Sequence, residues 1–267
     1  MKEKKMTVSL VISTYNWVNA LELVLLSVTN QTVLPNEVII ADDGSREETK
    51  QMIDEMRKTF PIPLIHVWHV DEGFRRCTIM NKAIAKASSD YILQVDGDVL
   101  LNKHFVEDHI YIAQPQCFVC GSRVHLNKNV TENIFAKRIY KITWLTQKES
   151  LSLNSLRIKS LIKFLSTRYA KDIMHMRGCN MAFWRNDFIK VNGYNESLLG
   201  WGHEDSELAY RLHNIGVRKL FLKFGGLVYH LNHKIADKNN EHVHNAALEV
   251  VRSGKVCRCE IGIQQYL

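Results

Sequence analysis

The sequence lacks several features that would assign it to a class directly. It has no run of about 18 apolar residues, so no transmembrane helix is predicted. Residues 1–5 lack the apolar core of a signal peptide, which favours a cytoplasmic protein whose membrane contacts, if any, lie at the inner face. There is no internal repeat and no low-complexity linker. Neither Gly-x-Gly-x-x-Gly nor Gly-x-x-x-x-Gly-Lys-Ser/Thr occurs, so neither a dinucleotide-binding Rossmann site nor a P-loop is supported.

Composition indicates a globular protein with reduced cysteines. The 267 residues, 46% of them hydrophobic, suffice for one large α/β domain or two small ones. Free thiols are expected for the six cysteines of a chain without a signal peptide. The pairs Cys117-x-x-Cys120 and Cys257-x-Cys259 could form a zinc site. Zinc is disfavoured, because the first pair falls in an apolar strand and Cys-x-Cys is not the usual ligand pair.

The net charge of +7 is concentrated in one segment. Residues 128–177 hold eleven Lys or Arg and three acids, so this segment carries +8 and the rest of the chain −1. One interpretation is a basic amphipathic surface that docks on an anionic membrane or a lipid-diphosphate acceptor. The other is a solvated insert whose basic face aids solubility. A nucleic-acid partner is not expected, because no recognisable binding motif accompanies the charge.

Strand and helix patterns alternate over the first 120 residues. Apolar strands separated by helices of this length are typical of βαβ units. They predict an α/β domain with a mostly parallel central sheet flanked by helices. The predicted strands are residues 7–13, 37–41, 64–68 and 90–95, and the predicted helices are residues 17–29, 47–60 and 78–86.

The alternation ends after residue 121. Residues 130–172 are predicted to be mostly helical and basic, with one amphipathic helix over residues 151–165. The tail is predicted to be a helix over residues 238–252, with His242 and His244 facing solvent. Later elements are a helix over 204–215 and strands near 218–222 and 227–230. We divide one domain into a first half (1–121), a second half (122–237) with a basic helical insert (about 128–177), and a helical tail (238–267).

Two acids close the fourth predicted strand, in the sequence Asp96-Gly97-Asp98. Burying one carboxylate beside another is costly unless a cation lies between them. Mg²⁺ and Mn²⁺ sites typically use one or two carboxylates together with substrate phosphates. A plain Asp-Gly turn is the alternative for this motif alone. The motif therefore indicates a divalent-cation site just past a strand end, where ligands bind in open α/β sheets.

Other polar motifs end the neighbouring strands. Residues 13–16 follow the first strand and residues 42–45 follow the second, so these motifs are expected to line one cleft. Tyr15 offers a stacking surface, and Asp42 or Asp43 offers acceptors for a base and a ribose. Cations for a diphosphate are available from a bound metal and from Arg75, Arg76 or Lys82.

Together, residues 7–16, 42–45, 72–76 with Asn81, and 96–98 resemble a family 2 glycosyltransferase of the GT-A fold, which is a Rossmann-like α/β domain. The resemblance implies a UDP-sugar donor, Mn²⁺ or Mg²⁺, and inverting transfer by direct displacement. It implies that the first half binds the donor and that Asp43 contacts the uracil. Asp96 is then expected near the ribose or sugar, with Asp98 on the metal. The donor-site residues are Thr14, Tyr15, Asn16, Asp42, Asp43, Arg75, Arg76, Asn81 and Asp96.

The second half carries a further match. Gly200-Trp201-Gly202-His203-Glu204-Asp205 resembles the Trp-Gly-x-Glu-Asp segment of galactosyltransferase-type C-terminal regions, also seen in bacterial chondroitin-type polymerases. An inverting transfer needs a general base. Asp205 is our first candidate for it and Glu204 the second, although acids also cap helices without catalysing anything. By the same resemblance, Asn180, Trp201 and Gly202 contact the acceptor, and His230, preferred to His233, completes the metal site.

These expectations define one main function and two alternatives. The main one is metal-dependent inverting transfer of a hexose or N-acetylhexosamine from a UDP-sugar to a glycan or lipid-linked acceptor, in surface polysaccharide biosynthesis. A non-catalytic sugar- or nucleotide-binding module is disfavoured, because it has no need of Asp98, Asp205 and His230 together. A retaining transferase stays open, since the Trp-Gly-x-Glu region also resembles retaining enzymes.

Overall fold

The computed structural model of the chain describes residues 6–170, 173, 176–234, 241–254 and 256–267. Two sets of elements make up the fold. The strands are β1 (Val8–Thr14), β2 (Glu37–Asp42), β3 (Leu64–Trp68), β4 (Tyr91–Asp96), β5 (Val99–Leu101), β6 (Cys117–Gly121), β7 (Arg123–His125), β8 (Met181–Trp184), β9 (Arg218–Leu222) and β10 (Val228–His230). The α-helices are α1 (Val18–Thr29), α2 (Glu47–Arg57), α3 (Arg76–Lys86), α4 (Phe105–Ile112), α5 (Lys128–Lys137), α6 (Lys159–Ser166), α7 (Arg185–Lys190), α8 (Glu204–Asn214) and α9 (Glu241–Gly254).

The central sheet has seven strands in the order β3-β2-β1-β4-β8-β6-β9. Strand β8 runs antiparallel to both of its neighbours, and the other pairings are parallel. The predicted α/β domain with a mostly parallel sheet flanked by helices is therefore confirmed. Because β8 belongs to the second half of the chain, the two halves share one sheet and form one domain.

Both faces of the sheet are covered, which explains the continuous apolar strands. In β1, Leu10 and Ile12 enter one hydrophobic cluster while Val11 enters the other. Helix α1 packs on the first face, and α3 packs on the second. Alternate side chains of a strand point to opposite faces, so a strand buried on both sides needs apolar residues at nearly every position.

A small second sheet, in the order β5-β10-β7, stands beside the carboxyl end of β4. The chain passes from β4 into β5 through Gly97 and Asp98. In the antiparallel pairing of β10 with β5, His230 lies opposite Val99, and the Leu231 N–H donates to the Asp98 carbonyl. This pairing brings the end of β10 to the acidic turn after β4.

The basic insert is less helical than predicted. Helices α5 and α6 account for its regular structure, and short 3₁₀ turns occupy Lys148–Ser150 and Leu153–Ser155. The single helix predicted over 151–165 is therefore correct from residue 159 onward and wrong before it. Ser152 and Ser155 bond to each other's backbone in a capping box, which competes with the helix there.

The tail contains helix α9, as predicted, with one error in its orientation. His244 is fully buried, whereas the sequence predicted it to face solvent; His242 is exposed as predicted. Residues 238–240 of the predicted helix, residues 1–5, and Lys171 and Asp172 of the insert lie outside the described residues. Across the part of the chain that is described, no helix combines the length and apolarity needed to cross a bilayer.

Candidate active site

A cavity of about 810 Å³ opens at the carboxyl ends of β1 and β4. Its volume falls in the range of small-molecule sites, roughly 300–1,000 Å³. Both halves of the chain contribute to its wall. The cavity wall includes polar or ionisable side chains, aromatic side chains and two glycines, namely Thr14, Tyr15, Asp43, Arg76, Asp96, Asp98, Arg123, His125, Gly178, Trp201, Gly202, Glu204, Asp205, His230 and His233.

Three side chains at one side of this cavity form a cluster suited to a metal ion. Potential ligand atoms of Asp98, His230 and His233 all lie within 4.8 Å of one another. His233 Nε2 is 3.0 Å and His230 Nε2 is 3.7 Å from Asp98 Oδ2. The other Asp98 oxygen, Oδ1, is buried and has no hydrogen-bond partner among the described residues. A buried carboxylate oxygen without a partner is the donor that a divalent cation would satisfy, so these residues fit a metal.

Gly97 shapes the turn that presents Asp98. Its N–H donates to the Ser13 carbonyl at 2.7 Å. A Cβ at this position would lie 2.8 Å from that same carbonyl oxygen and 3.1 Å from Thr14 Oγ1. Only glycine therefore lets the turn after β4 lie against the end of β1 without displacement.

A buried guanidinium holds three carboxylates at the centre of the cavity. Arg76, the first residue of α3, donates from Nη2 to Asp96 Oδ1 at 3.0 Å. Its Nη1 lies 3.4 Å from Asp205 Oδ1 and 3.6 Å from Glu204 Oε1. Burial opposes the charge of Arg76, but the carboxylates outweigh it and raise its pKa well above the ordinary value. Burial likewise opposes ionisation of Asp96, yet Arg76 and the Ser13 hydroxyl keep its pKa below the usual range.

Glu204 and Asp205 open helix α8 but have different surroundings. Glu204 is 4% exposed, and its Oε2 accepts from the Gly202 N–H at 3.1 Å. Burial, and next the charge of Asp205, raise the pKa of Glu204 to about 8, although Arg76 opposes them. Glu204 is therefore mostly protonated at neutral pH. The N-terminus of α8 favours a negative charge, which Asp205 carries.

Asp205 is fixed in position by neighbours from both halves of the chain. Its Oδ1 lies 2.8 Å from the hydroxyl of Tyr194, which is also 2.8 Å from Gln94 Oε1. A Cβ at Gly178 would lie 2.0 Å from Asp205 Oδ2, so only glycine leaves room for this carboxylate. The Gln94 amide donates to the Gly178 carbonyl at 3.0 Å and fixes that backbone.

The Tyr15 end of the cavity offers an aromatic face and a buried acid. Tyr15 is half exposed, and its hydroxyl donates to Asp71 Oδ2 at 2.8 Å. Asp43 accepts from the Arg75 N–H at 2.9 Å and lies 2.7 Å from His69 Nε2. Burial raises the pKa of Asp43, and the His69 contact opposes that shift. This end can stack a planar ring and bond its edge.

Comparison with known proteins assigns the family. The model of the family described as glycosyl transferase family 2 matches residues 9–191, which include both Asp96 and Asp98. The chain belongs to glycosyltransferase family 2. A second model, described as the N-terminal domain of galactosyltransferase, matches residues 159–234, which contain the Glu204–Asp205 pair and His230.

Curated relatives resemble the chain in sequence, and solved structures resemble it in fold. The chain is 27% identical over 243 residues to chondroitin synthase of Pasteurella multocida (strain Pm70), an alignment that covers 85% of this chain and 25% of that protein. The chain thus spans about a quarter of the length of this relative. The mannosyltransferase PcManGT of Pyrobaculum calidifontis, solved with GDP-Man and Mn²⁺, aligns with a TM-score of 0.65 at 18% identity, over 95% of this chain and 66% of that one. GalNAc-T7, solved with UDP, GalNAc and Mn²⁺, aligns with a TM-score of 0.61 at 17% identity, over 86% and 45%. The fold is GT-A.

Several residues expected in the donor site of this glycosyltransferase have their polar groups bound elsewhere. Asp42 accepts from the Ser45 N–H at 2.8 Å and contacts His66. The Asn16 side chain accepts from the Arg46 N–H, which ties the loops after β1 and β2 together. The Arg75 side chain pairs with Glu72 outside the cavity, and only its backbone N–H reaches Asp43.

Asn81 and Asn180 are fully buried and do not line the cavity. The Asn81 amide donates to the Tyr194 carbonyl and to Glu196. It therefore holds the backbone of Tyr194 from outside the cavity wall. The Asn180 amide donates to the Ser122 and Gly226 carbonyls at 2.8 Å, and its oxygen lies 3.0 Å from His109 Nε2. The structure thus gives both asparagines backbone-bracing contacts in place of the ligand contacts expected for them.

Sequence reasoning missed Arg123 and His125 of the cavity wall, and also two residues that hold the site from outside the wall. Tyr194 lies eleven positions before Asp205, in a stretch without a recognisable motif. His244 of α9 lies beneath the loop that carries Trp201 and Gly202: its Nε2 is 3.1 Å from the Leu199 carbonyl and its Nδ1 3.3 Å from the His203 nitrogen. A signal for His244 was available, because it shares helical spacing with the buried Leu248 and Val251.

Proposed function

We propose that the chain is a metal-dependent inverting glycosyltransferase. It moves a hexose or N-acetylhexosamine from a UDP-sugar to a glycan or lipid-linked glycan acceptor, in surface polysaccharide biosynthesis. The observation that carries this proposal is the shared cavity, in which the Asp98–His230–His233 cluster and the Glu204–Asp205 pair face one space beside Arg76. A non-catalytic binding module has no use for a base opposite a metal cluster.

Support for the donor comes from the first half of the chain. Tyr15 and Asp43 provide the stacking face and the buried acceptor that a uracil would use, and Thr14 lines the cavity next to them. Family resemblance assigns the uracil contact to Asp43, and GalNAc-T7, which shares the fold, was solved with UDP. In this proposal Asp96 faces the ribose or sugar, and Arg76 orients it.

Asp98, His230 and His233 would hold the metal. Two imidazoles favour an ion of the Mn²⁺ class over Mg²⁺, since Mg²⁺ prefers oxygen ligands. When bound, a divalent cation there supplies positive charge beside the diphosphate leaving group. We include His233 as well as His230, because its Nε2 is the nearer of the two to Asp98.

Asp205 is the general base in this proposal, and Glu204 is its protonated neighbour. Asp205 accepts the proton of the acceptor hydroxyl while that oxygen bonds to the anomeric carbon and the carbon–diphosphate bond breaks. The electron pair of the broken bond leaves with UDP. Glu204 is a poor base at neutral pH, because its pKa of about 8 keeps the proton on it. Its contact with the Gly202 N–H holds the loop that presents Trp201 to the acceptor.

Support for the acceptor class comes from the relatives and from one aromatic residue of the cavity wall. Chondroitin synthase, which is 27% identical over most of this chain, is named for making a polysaccharide. The exposed edge of the cavity at Trp201 offers an aromatic face on which a sugar ring could stack.

The first experiment measures nucleotide release from a panel of UDP- and GDP-sugars, with Mn²⁺ and with a chelator. Metal-dependent release from one UDP-sugar, together with a product of inverted anomeric configuration by NMR, is the expected result. A product of retained configuration would overturn the direct-displacement mechanism. UDP binding without release or transfer for any donor and acceptor tried would favour the binding module, and the absence of nucleotide binding would contradict the glycosyltransferase proposal.

A further inference from the structure

Exposed apolar side chains are concentrated in the basic insert. Of the nineteen large hydrophobic residues that are exposed in the described chain, eight lie between residues 144 and 169. Those eight are Trp144, Leu145, Leu151, Leu153, Ile158, Leu161, Phe164 and Tyr169. Scattered surface hydrophobics are ordinary, but a concentration of this kind marks an interaction surface.

Part of this set lies on a surface that we call the insert face: Leu153, Ile158, Leu161, Phe164 and Tyr169, with Arg168 and Lys223 among them and Lys163 at the edge toward Tyr111. Helical spacing places Leu161 and Phe164 on one side of α6, away from the buried Ile162, and Arg168 follows just after the helix. The Ile158 N–H donates to the Phe224 carbonyl. Lys223 donates to Asn154 at 3.0 Å and lies over the Tyr169 ring. These two contacts connect the part of the insert face near Leu153 with the part near Tyr169.

The cations of the insert face are not neutralised by acids. Within the part of the chain that the structure describes, no ion pair with a carboxylate involves Lys163, Arg168 or Lys223. Instead Lys163 lies 4.3 Å from the Tyr111 ring and Arg168 4.1 Å from the Phe164 ring. Cations held against aromatic faces, beside exposed apolar side chains, suit a boundary between acyl chains and anionic headgroups.

Ion pairs behind the insert face fix it to the body of the protein. Arg157 donates to both oxygens of the buried Asp108, at 2.6 to 3.2 Å. Lys159 donates to Glu107 at 2.6 Å. Because α4 carries both acids, the insert face is held on a rigid support and presents its apolar residues outward.

The insert face also adjoins the cavity. The 3₁₀ turn Leu153–Ser155 packs against β7, and Arg123 and His125 of that strand line the cavity. A surface that rests on a bilayer along the insert face would therefore bring the second-half side of the cavity toward the headgroups.

We propose that the insert face docks on an anionic lipid bilayer. Leu161 and Phe164 enter the acyl boundary, while Lys163, Arg168 and Lys223 bind headgroup phosphates. Unpaired cations of one sign favour this occupant over a second copy of the chain, because two insert faces brought together would repel each other. This membrane contact is proposed in addition to the transfer reaction. Its test measures vesicle binding and does not require sugar transfer.

Vesicle flotation of the full chain tests the proposal. Vesicles of phosphatidylcholine with about one third phosphatidylglycerol should carry the protein, vesicles of phosphatidylcholine alone should not, and added salt should weaken binding. The variant K163Q/R168Q should bind anionic vesicles roughly thirtyfold more weakly, since each basic residue near such a surface contributes about fivefold. The variant L161S/F164S should lose at least about tenfold.

Matched controls are available elsewhere on the surface. Val243 and Val250 are exposed on α9, Lys50 is exposed on α2, and Lys58 is exposed just after that helix. V243S/V250S and K50Q/K58Q should bind vesicles as the parent does. UDP binding by every variant should match the parent, which separates this test from that of the transfer reaction. Equal binding to neutral vesicles, no flotation at all, or self-association in light scattering that L161S/F164S abolishes would overturn the proposal.

Discussion

At the scale of single residues, Asp205 is the most constrained group of the site. Tyr194, Arg76 and the bare backbone of Gly178 hold its carboxylate from three directions. Such fixed contacts keep a side chain within the small tolerance that proton transfer requires. The adjacent Glu204 is less available to a ligand, because its carboxyl group accepts a hydrogen bond from the Gly202 N–H of the preceding loop.

Asp205→Asn should abolish sugar transfer while leaving donor binding nearly unchanged. The amide cannot take a proton, and removal of a general base typically costs roughly 100- to 10,000-fold in rate. Rate and UDP affinity are measured side by side, by nucleotide release and by titration calorimetry. Equal loss of UDP affinity would contradict the role of Asp205 as a base. Glu204→Gln is the matched control, and it should keep far more activity because the protonated acid and the amide are similar at neutral pH.

Asp98→Ala should weaken Mn²⁺-dependent UDP binding by at least about tenfold, as expected for loss of a group at a metal site. Titration of UDP with Mn²⁺ and with chelator measures the effect. Glu107→Ala changes an acid outside the cavity and serves as the control. It should leave the UDP affinity unchanged both with Mn²⁺ and with chelator. If the Asp98 variant still binds UDP with the same metal dependence as the parent, Asp98 does not belong to the metal site.

The protonation of Glu204 should make stability depend on pH. Its pKa is about 8 in the folded protein and near 4.3 in an unfolded chain, so the folded state binds the extra proton between these values. The resulting stabilisation is complete below pH ~4 and is lost as the pH rises to ~8, with a slope of at most about 1.4 kcal/mol per pH unit. Urea unfolding of the parent and of Glu204→Gln across this range should show the slope in the parent alone. Parallel pH profiles would mean that Glu204 is ionised in the folded protein.

At the scale of elements, the insert depends on one buried ion pair. Asp108 of α4 is almost completely buried and is bonded by Arg157 and by the Gly226 N–H. Arg157→Ala should cost about 3–5 kcal/mol, because it leaves a buried charge without its partner. Lys159→Ala removes a more exposed pair to Glu107 and should cost less than about 1 kcal/mol. Denaturant unfolding of the two variants measures the difference, and equal costs would contradict this assignment.

The sequence predicted the elements that local pattern determines. Strands β1 to β4 and their helices are continuous apolar runs and amphipathic repeats, so their bounds were predicted within a few residues. Residues 151–165 contain leucines at helical spacing, yet Ser152 and Ser155 turn the backbone into a 3₁₀ turn. Composition alone does not decide that competition, because it depends on which backbone groups the serines reach.

The candidate site was predicted where a motif marks it, at the strand ends and at the start of α8. Asp43, Asp96 and Asp98 lie at or just past the ends of their strands and line one cavity. Asn81 and Tyr194 are 113 residues apart, and their contact depends on how α3 packs against the second half. Long-range pairs of this kind carry no signal in a single sequence, so the bracing role of Asn81 could not be predicted.

At the scale of the whole molecule, the two halves of the chain interlock. Strand β8 lies between β4 and β6, so the first half by itself has no partner strand at the middle of the sheet. A fragment of residues 6–121 should therefore fail to fold. Well-dispersed amide signals in an NMR spectrum should appear for the full chain and not for the fragment. A well-dispersed spectrum of the fragment would show that the first half is an independent domain, contrary to the shared sheet.

The position of His244 extends control of the site to the end of the chain. Its ring contacts the Leu199 carbonyl and the His203 nitrogen, and it leaves no room for a side chain at Gly202. Changes in α9 therefore alter the shape of the Trp201 loop without touching a sugar. Because Trp201 is the proposed acceptor contact, laboratory evolution toward new acceptors should select substitutions around His244 as well as in the cavity wall.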